Sequence, residues 1–212
     1  MPKSTLTPDE VKTMLLAVAD KVIASEPMLS EADRNLGDGD HGIGMARGFN
    51  AVKEKLATMT GADGIDKLFS AAGMAMISSM GGASGAIFGT LFRDGGKALA
   101  GRTELDASGY AALLRAACDG VQARGKAQPG DKTMVDALHP AAAKAAEVSD
   151  APLAEAMNAV AAAAEAGREA SIAMIATFGR AKTLGAASIG HPDAGACSVA
   201  VILREMSDFA AA

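Results

Sequence analysis

Apolar residues return every three or four positions along most of this chain, a spacing that restricts it to helices packed side by side. Thr7-Pro8-Asp9-Glu10 forms a capping box with proline in the first turn, so a helix is expected to begin there and to run to about Ala24. No stretch shows the alternation of β-branched residues that is typical of a strand. The sequence therefore predicts an all-α bundle of about eight helices.

The remaining helices are placed by the same periodicity. Pro27 is expected to interrupt the helical pattern, so that a short turn leads to Asp33. Asp106 and Asp131 are predicted to cap two of the later helices. Because no repeat or long linker divides the chain, residues 1–212 are expected to form a single domain. The predicted later helices cover about 42–56, 68–80, 87–99, 107–124, 131–148, 152–166, 168–178 and 195–211.

Composition narrows the classes of protein that this chain can belong to. Aromatic residues make up only 3%, so the core must be built from Ala, Leu, Val, Ile and Met. A net charge of −5 and few aromatic residues disfavour a nucleic-acid binder, which needs a basic face and usually stacking aromatic side chains. No apolar run is long enough to span a membrane, and the N-terminus does not have the pattern of a leader peptide. Cys118 and Cys197 are predicted to be buried free thiols, which places the protein in the cytoplasm.

An acidic, glycine-rich loop is the strongest functional signal. Asp33, Asp38 and Asp40 fall within eight positions, and glycines surround the last two. Carboxylate oxygens are the ligands that Mg²⁺ and Ca²⁺ prefer, and three crowded like charges require neutralising cations. Helix capping, Asx turns and a general acid–base pair are alternatives. An EF-hand does not fit, because its twelfth position would be Gly44 instead of Glu. The loop is therefore predicted to bind metal.

Three further glycine-rich turns, at 81–85, 125–131 and 185–195, lie between predicted helices. If neighbouring helices are antiparallel, these turns and the one at 37–44 converge at one end of the bundle. Gly81-Gly82-Ala83-Ser84-Gly85 suits either phosphate binding at a helix N-terminus or close helix packing.

Three polar side chains in or near these turns also have alternative roles. His41 suits a phosphate donor, an ordering role in its loop or, less readily, a catalytic base. Arg180 suits a phosphate contact or a surface ion pair. His191 lies in a turn that suits the lining of a pocket.

Five motifs in order resemble those of the dihydroxyacetone kinase L subunit, a nucleotide-binding domain of DhaL or DAK2 type, and the resemblance extends over nearly the whole chain. It also extends to erythrulose-type and related short-sugar kinases. Length fits a stand-alone subunit better than a fused kinase. The motifs are Asp33-x4-Asp38-Gly39-Asp40-His41-Gly42 with Arg47-Gly48-Phe49, then 78–85, then 124–126 with 129–134, then 179–181, and finally 188–196.

The resemblance implies a barrel of eight antiparallel helices that holds ADP or ATP at one end with two Mg²⁺ ions. By motif, the metal ligands would be Asp33, Asp38 and Asp40. The family often has Asn at the position of Gly44, which would leave only backbone contacts there in this chain. The residues implied to line the nucleotide site are His41, Gly42, Ile43, Gly44, Ala83, Ser84, Gly125, Met134, Arg180, Pro192, Asp193 and Ala194.

The resemblance also implies a phosphotransferase of glycerone kinase type that works with a partner. A separate K subunit would hold the ketose covalently through a histidine, and this chain would supply the γ-phosphoryl group. The donor is either free ATP or a phosphohistidine-carrying M subunit of a phosphotransferase system that recharges bound ADP. The ketose stays open between dihydroxyacetone, erythrulose and a related short sugar. The alternative is a catalytically inactive regulatory subunit that binds nucleotide or divalent cations.

Overall fold

The computed structural model describes residues 2–212. Within them the backbone forms nine α-helices, joined by turns and by short 3₁₀ segments at Gly61–Asp63, Ser171–Ala173 and Ala181–Ser188. The helices are α1 Pro8–Ala24, α2 Glu26–Arg34, α3 His41–Ala57, α4 Ile65–Met80, α5 Gly82–Lys97, α6 Ala107–Gly125, α7 Val135–Glu147, α8 Leu153–Ala170 and α9 Ala194–Ala211.

Eight of these helices close into a ring, as predicted. Helix α1 packs on α3, each helix from α3 to α8 packs on the next one along the chain, and α9 packs on both α8 and α1. The short helix α2 lies outside the ring against α3 and α9. The interior is filled by Ala, Leu, Val and Met, with Phe49, Phe69 and Phe92 in contact near its middle. Small side chains let the helices approach closely, so the barrel has a packed core.

The N-terminal residues close the barrel at the end opposite the acidic loop. Leu6 is fully buried and exchanges both backbone hydrogen bonds with Leu105, in the turn between α5 and α6. The Lys3 amide donates to the carbonyl of Ala210 at the end of α9, and the Lys3 carbonyl accepts from Ala154 at the start of α8. The predicted capping box at Thr7 and Glu10 follows directly and begins α1.

Two of the predicted boundaries near turns are wrong. Helix α1 does end before Pro27, at Ala24, but no turn follows: Pro27 stands in the first turn of α2, where its missing N–H would have no helical partner anyway, and α2 continues to Arg34. Asp131 does not cap α7, which begins at Val135. Its carboxylate accepts instead from the Gln128 amide at 2.7 Å, whereas both oxygens of Asp136 accept from backbone amides of the turn.

The helix predicted over 168–178 is also absent. Helix α8 continues without a break to Ala170, and the next α-helix begins only at Ala194. Residues 171–193, here called the α8–α9 loop, contain two short 3₁₀ segments and three glycines with positive φ: Gly179, Gly185 and Gly190. This loop lies at the same end of the barrel as the acidic loop.

Alternate turns of the ring meet at that end, which confirms the predicted convergence. The N-termini of α3, α5, α7 and α9 all point there, and residues of all four line one cavity. Each helix N-terminus carries a partial positive charge and backbone amides without helical partners. The fold therefore brings free backbone amides of four first helical turns to this cavity, beside the C-termini of α4 and α6. None of the helices in residues 2–212 combines the length and the apolarity that a membrane span requires.

Candidate nucleotide and metal site

The cavity at this end of the barrel has a volume of about 730 Å³. Its walls come from the acidic loop, the turn between α4 and α5, the turn between α6 and α7, and the α8–α9 loop. Typical pockets for small molecules and cofactors occupy roughly 300–1,000 Å³. Its lining combines apolar side chains, among them Ile87, Phe88, Val121 and Phe178, with the charged side chains of the acidic loop. Such a lining suits a ligand that has a flat apolar part and a charged part.

The three aspartates of the acidic loop meet at the mouth of the cavity. Asp33, Asp38 and Asp40 each bring one carboxylate oxygen to within 4.8 Å of the others. Asp33 is half-buried and accepts from the His41 amide at 3.2 Å, whereas Asp38 and Asp40 are exposed. A Cβ on Gly37 would come within 2.6 Å of an Asp33 carboxylate oxygen, so this glycine leaves room for the cluster. Three hard oxygen donors this close fit a divalent cation such as Mg²⁺.

His41 joins the acidic loop to helix α9. Its Nε2 lies 2.8 Å from the Ser198 hydroxyl, and its ring contacts Phe88. Burial lowers the pKa of His41, and the negative charge of Asp33 opposes that shift. With its ring nitrogen engaged in this way, His41 is placed to order the start of α3, which is the second of the roles considered above.

The turn between α4 and α5 exposes backbone amides to the cavity. Gly81 and Gly82 have φ angles of 70° and 59°, which non-glycine residues rarely adopt. Ala83 and Ser84 follow in the first turn of α5 and are exposed at the cavity wall. Amides in a first helical turn have no partner within the helix, so they are free to bind phosphate oxygens.

Arg180 reaches over the mouth from the α8–α9 loop and forms an ion pair with Asp38. Both side chains are exposed, so the pair contributes little to stability by itself. It does place a guanidinium beside the acidic loop, at the edge of the cavity. A guanidinium there can bind a phosphate oxygen once cations neutralise the carboxylates.

Two further charged side chains, those of Lys132 and Asp193, stand in the wall of the cavity. Lys132 is 1% exposed and has a left-handed φ of 60°. Asp193 caps α9 by accepting from the Ala196 amide at 2.7 Å. Burial raises the pKa of Asp193 to about 7; the nearby carboxylate of Asp136 adds to that shift and the Lys132 ammonium opposes it.

Most of the predicted site residues line this one cavity. Gly42 and Pro192 are not among its lining residues. Gly42 serves close packing instead, since a Cβ there would lie 2.3 Å from the Glu26 carbonyl oxygen of α2. The predicted residues that line the cavity are Asp33, Asp38, Asp40, His41, Ile43, Gly44, Ala83, Ser84, Gly125, Met134, Arg180, Asp193 and Ala194.

Sequence reasoning did not assign a role to several residues that build the site. Lys132 stood within a motif, but its left-handed backbone and complete burial have no signature in the sequence. Ser198, the partner of His41, lies 157 positions away from it along the chain. Phe178 lines the cavity from a segment that was predicted to be helical. The backbone carbonyl of His191 accepts from Lys132 at 2.7 Å, a structural contact.

Comparison with known proteins agrees with this geometry. The chain is 37% identical over 205 residues to the PEP-dependent dihydroxyacetone kinase, ADP-binding subunit DhaL, of Escherichia coli, which covers 96% of this chain and 97% of that protein. It is 32% identical to the PTS-dependent dihydroxyacetone kinase, ADP-binding subunit DhaL, of Lactococcus lactis, over 97% of this chain and 100% of that protein. It is also 37% identical to L-erythrulose kinase of Pectobacterium atrosepticum, but spans only 34% of that protein.

The fold is similar to that of a solved structure. The dihydroxyacetone kinase from C. freundii, in complex with AMP-PNP and Mg²⁺, superposes with a TM-score of 0.73 at 25% sequence identity. The match covers 93% of this chain and 33% of that one. The family described as the DAK2 domain matches residues 35–208. The chain therefore belongs to the DAK2 domain family, with ADP-binding subunits of dihydroxyacetone kinase among its relatives.

Proposed function

We propose that residues 1–212 form one nucleotide-binding domain that supplies the phosphoryl group to a ketose held by a partner K subunit. The observation that carries the proposal is the position of the three-aspartate cluster at the mouth of a cavity faced by four helix N-termini. A nucleoside diphosphate has an apolar base for the inner part of such a cavity and a polyphosphate for its mouth. The names of the E. coli and L. lactis relatives support ADP as the ligand.

In this proposal the polyphosphate lies between the acidic loop and the turn at Gly81. The amides of Ala83 and Ser84 bind its oxygens, and the N-terminus of α5 adds a favourable dipole. Asp33, Asp38 and Asp40 would hold two Mg²⁺ ions. When bound, these ions would neutralise the phosphates and the charge that develops on the transferred group.

The protein side chains contribute position and charge to this chemistry. Arg180 leaves its ion pair with Asp38 when cations occupy the acidic cluster, and its guanidinium then faces the phosphates. His41 stays anchored to Ser198 and keeps the amide at the start of α3 against Asp33. Phosphoryl transfer asks for little covalent chemistry from a protein, and the group that accepts the proton of the ketose hydroxyl would come from the K subunit.

The open mouth of the cavity supports transfer to a partner. Ile43 and Leu184 are exposed apolar residues at this end of the barrel, at 52% and 39% exposure. An exposed apolar rim around a polar site suits contact with a protein partner. The ketose would be dihydroxyacetone, erythrulose or a related short sugar, held covalently by a histidine of the K subunit. Cys118 and Cys197 are buried and free, which supports a reducing compartment, the cytoplasm.

We further propose that ADP stays bound as a cofactor and is recharged by a phosphohistidine-carrying M subunit. Support comes from the PEP-dependent and PTS-dependent relatives. A protein purified without added nucleotide should then release ADP when it is denatured. An empty site that turns over free ATP with a K subunit would overturn this choice of donor.

The proposed activity is tested by reconstitution. The chain alone, with Mg²⁺ and ATP or a complete phosphohistidine relay, should form no ketose phosphate from dihydroxyacetone or erythrulose. Adding a K subunit should start the reaction, and Arg180→Met should slow it while Arg115→Met, on the exposed face of α6, should not. Ketose phosphorylation by the single chain would refute the division of labour, and nucleotide binding without any transfer would indicate the regulatory alternative.

A further inference from the structure

Lys132 makes three hydrogen bonds that all end on the α8–α9 loop. Its Nζ donates to the carbonyl oxygens of Ser171 at 2.6 Å and Met174 at 3.1 Å, where the loop begins. It also donates to the carbonyl oxygen of His191 at 2.7 Å, where the loop ends. One ammonium group thus joins the two ends of the loop.

These contacts use the whole donor capacity of the side chain. An ammonium has three N–H donors and no acceptor, and three carbonyl oxygens surround this one. Although Lys132 borders the cavity, it therefore has no donor left for a phosphate oxygen. A lysine beside an anion site would ordinarily be taken as a ligand to the anion, and this one is turned towards the protein.

The loop that Lys132 closes carries Arg180 at its outer part. At its base, the Gly190 amide donates to the Ile172 carbonyl and the Asp193 amide donates to the Ser171 hydroxyl. Thr177 is tied to Asp131, the neighbour of Lys132, through its amide and its hydroxyl. Beyond Thr177, the ion pair of Arg180 with Asp38 is the contact that holds the outer part of the loop to the acidic loop.

We propose that Lys132 is a positioning residue: it closes the base of the α8–α9 loop and thereby holds Arg180 over the mouth of the cavity. The consequence for a bound nucleotide rests on the function proposed above. The closure of the loop does not, because it is a property of the protein without ligand. The two parts can therefore fail separately.

The closure is tested by hydrogen–deuterium exchange of the ligand-free protein. Lys132→Met removes the ammonium and keeps the length of the side chain. Lys126→Met is the matched control, because Lys126 lies in the same turn, also has a left-handed φ (64°) and is exposed. Exchange in 175–190 should accelerate about tenfold or more in Lys132→Met, with the amides of α4 and α5 unchanged, and should keep the wild-type rate in the control.

The effect on the ligand is tested by the dissociation rate of ADP in the presence of Mg²⁺. Release should be faster in Lys132→Met and in Arg180→Met, and the double variant should release ADP no faster than the faster single variant. That non-additivity is expected if Lys132 acts through Arg180, whereas a general loss of stability would make the two effects add.

Lys132→Gln keeps a neutral donor that cannot reach three carbonyls, and it carries the test if the methionine variant does not fold. Its loop should exchange at a rate between those of the wild type and of Lys132→Met. Wild-type exchange in 175–190 in a folded Lys132 variant overturns the closure. If exchange in 175–190 accelerates but the effects of Lys132→Met and Arg180→Met on ADP release add, the link to Arg180 is overturned. If exchange accelerates and the protein binds no ADP, only the proposed function is refuted.

Discussion

Replacing Asp40 with Asn should change the stability of this protein in opposite directions with and without ligand. Asp40 is exposed, and its carboxylate lies within 4.8 Å of those of Asp33 and Asp38. Without a cation these charges repel each other, and with a cation they are its ligands. Asparagine keeps the size of the side chain and removes its charge. The substitution therefore separates the destabilising repulsion within the cluster from its contribution to metal binding.

The size of the repulsion follows from the geometry. Two unit charges 4.8 Å apart repel by about 0.9 kcal/mol in water, and Asp40 has two such neighbours. Salt screens exposed charges, and Arg180 already neutralises part of the charge of Asp38. Asp40→Asn should thus raise the free energy of unfolding of the ligand-free protein by about 1 kcal/mol, or about 2–4 °C in Tm for a chain of this length.

The loss of ligand binding changes the stability of Asp40→Asn in the opposite direction. ADP with Mg²⁺ at about 100 times its Kd adds about 2.7 kcal/mol to the stability of the wild type. If the loss of one metal ligand raises Kd about 100-fold, the same concentration adds only about 0.4 kcal/mol. The wild type should then be more stable than Asp40→Asn with Mg²⁺ and ADP, and less stable without them.

Thermal unfolding followed by circular dichroism at 222 nm measures the stability of the wild type and of Asp40→Asn, each with and without Mg²⁺ and ADP. Asp150→Asn is the matched control, since Asp150 is an exposed aspartate in the turn between α7 and α8 at the opposite end of the barrel. This control should change the stability of neither the ligand-free nor the ligand-bound protein by a comparable amount. If Asp40→Asn kept the full gain from Mg²⁺ with ADP, or destabilised the ligand-free protein, the assignment of the cluster to metal binding would be wrong.

Three further predictions concern single positions. A Cβ on Gly44 would meet no neighbouring group within 4 Å, so Gly44→Asn should fold normally and bind ADP more tightly in titration calorimetry, whereas Gly44→Ala should raise Tm without a gain in affinity. Because the pKa of Asp193 is raised to about 7, its carboxylate lowers the free energy of unfolding as pH rises from about 4 to 7. Asp193→Asn keeps the cap and removes this loss, so in urea unfolding the variant should be more stable relative to the wild type at pH 8 than at pH 4. A difference in stability that does not change with pH would contradict the raised pKa. The Tyr110 hydroxyl is buried without a hydrogen-bond partner among the described residues, so Tyr110→Phe should leave urea stability unchanged or raise it by about 1 kcal/mol, and a clear loss would reveal a missed partner.

The barrel and the position of its site follow from local signals in the sequence. Apolar periodicity, the capping box at Thr7 and the cap at Asp106 placed most of the helices correctly. Antiparallel packing of sequential helices then put alternate turns at one end, so the convergence of the glycine-rich turns required no knowledge of distant contacts. The acidic loop was found for the same reason: its residues are neighbours along the chain.

The errors lie where distant contacts override local preference. The segment after Ala170 has residues that suit a helix, but Lys132 fixes the carbonyls of Ser171, Met174 and His191 in a non-helical loop. The turn predicted after Pro27 failed for a local reason instead: the break between helices falls at Ser25, and the first turn of the next helix accepts proline. The role of Lys132 could not be predicted, because its partners lie 39 to 59 positions away.

Titration calorimetry with ADP, in Mg²⁺ and then in excess EDTA, tests the central claim most directly. The claim is that the three-aspartate cluster and the cavity behind it form one metal-dependent nucleotide site. It predicts saturable binding of one ADP per chain in Mg²⁺, at least tenfold weaker binding in EDTA, and insensitivity to EDTA in a variant with Asp33, Asp38 and Asp40 all replaced by Asn. ADP binding of equal affinity with and without Mg²⁺ in the wild type, or no binding in either, would contradict it.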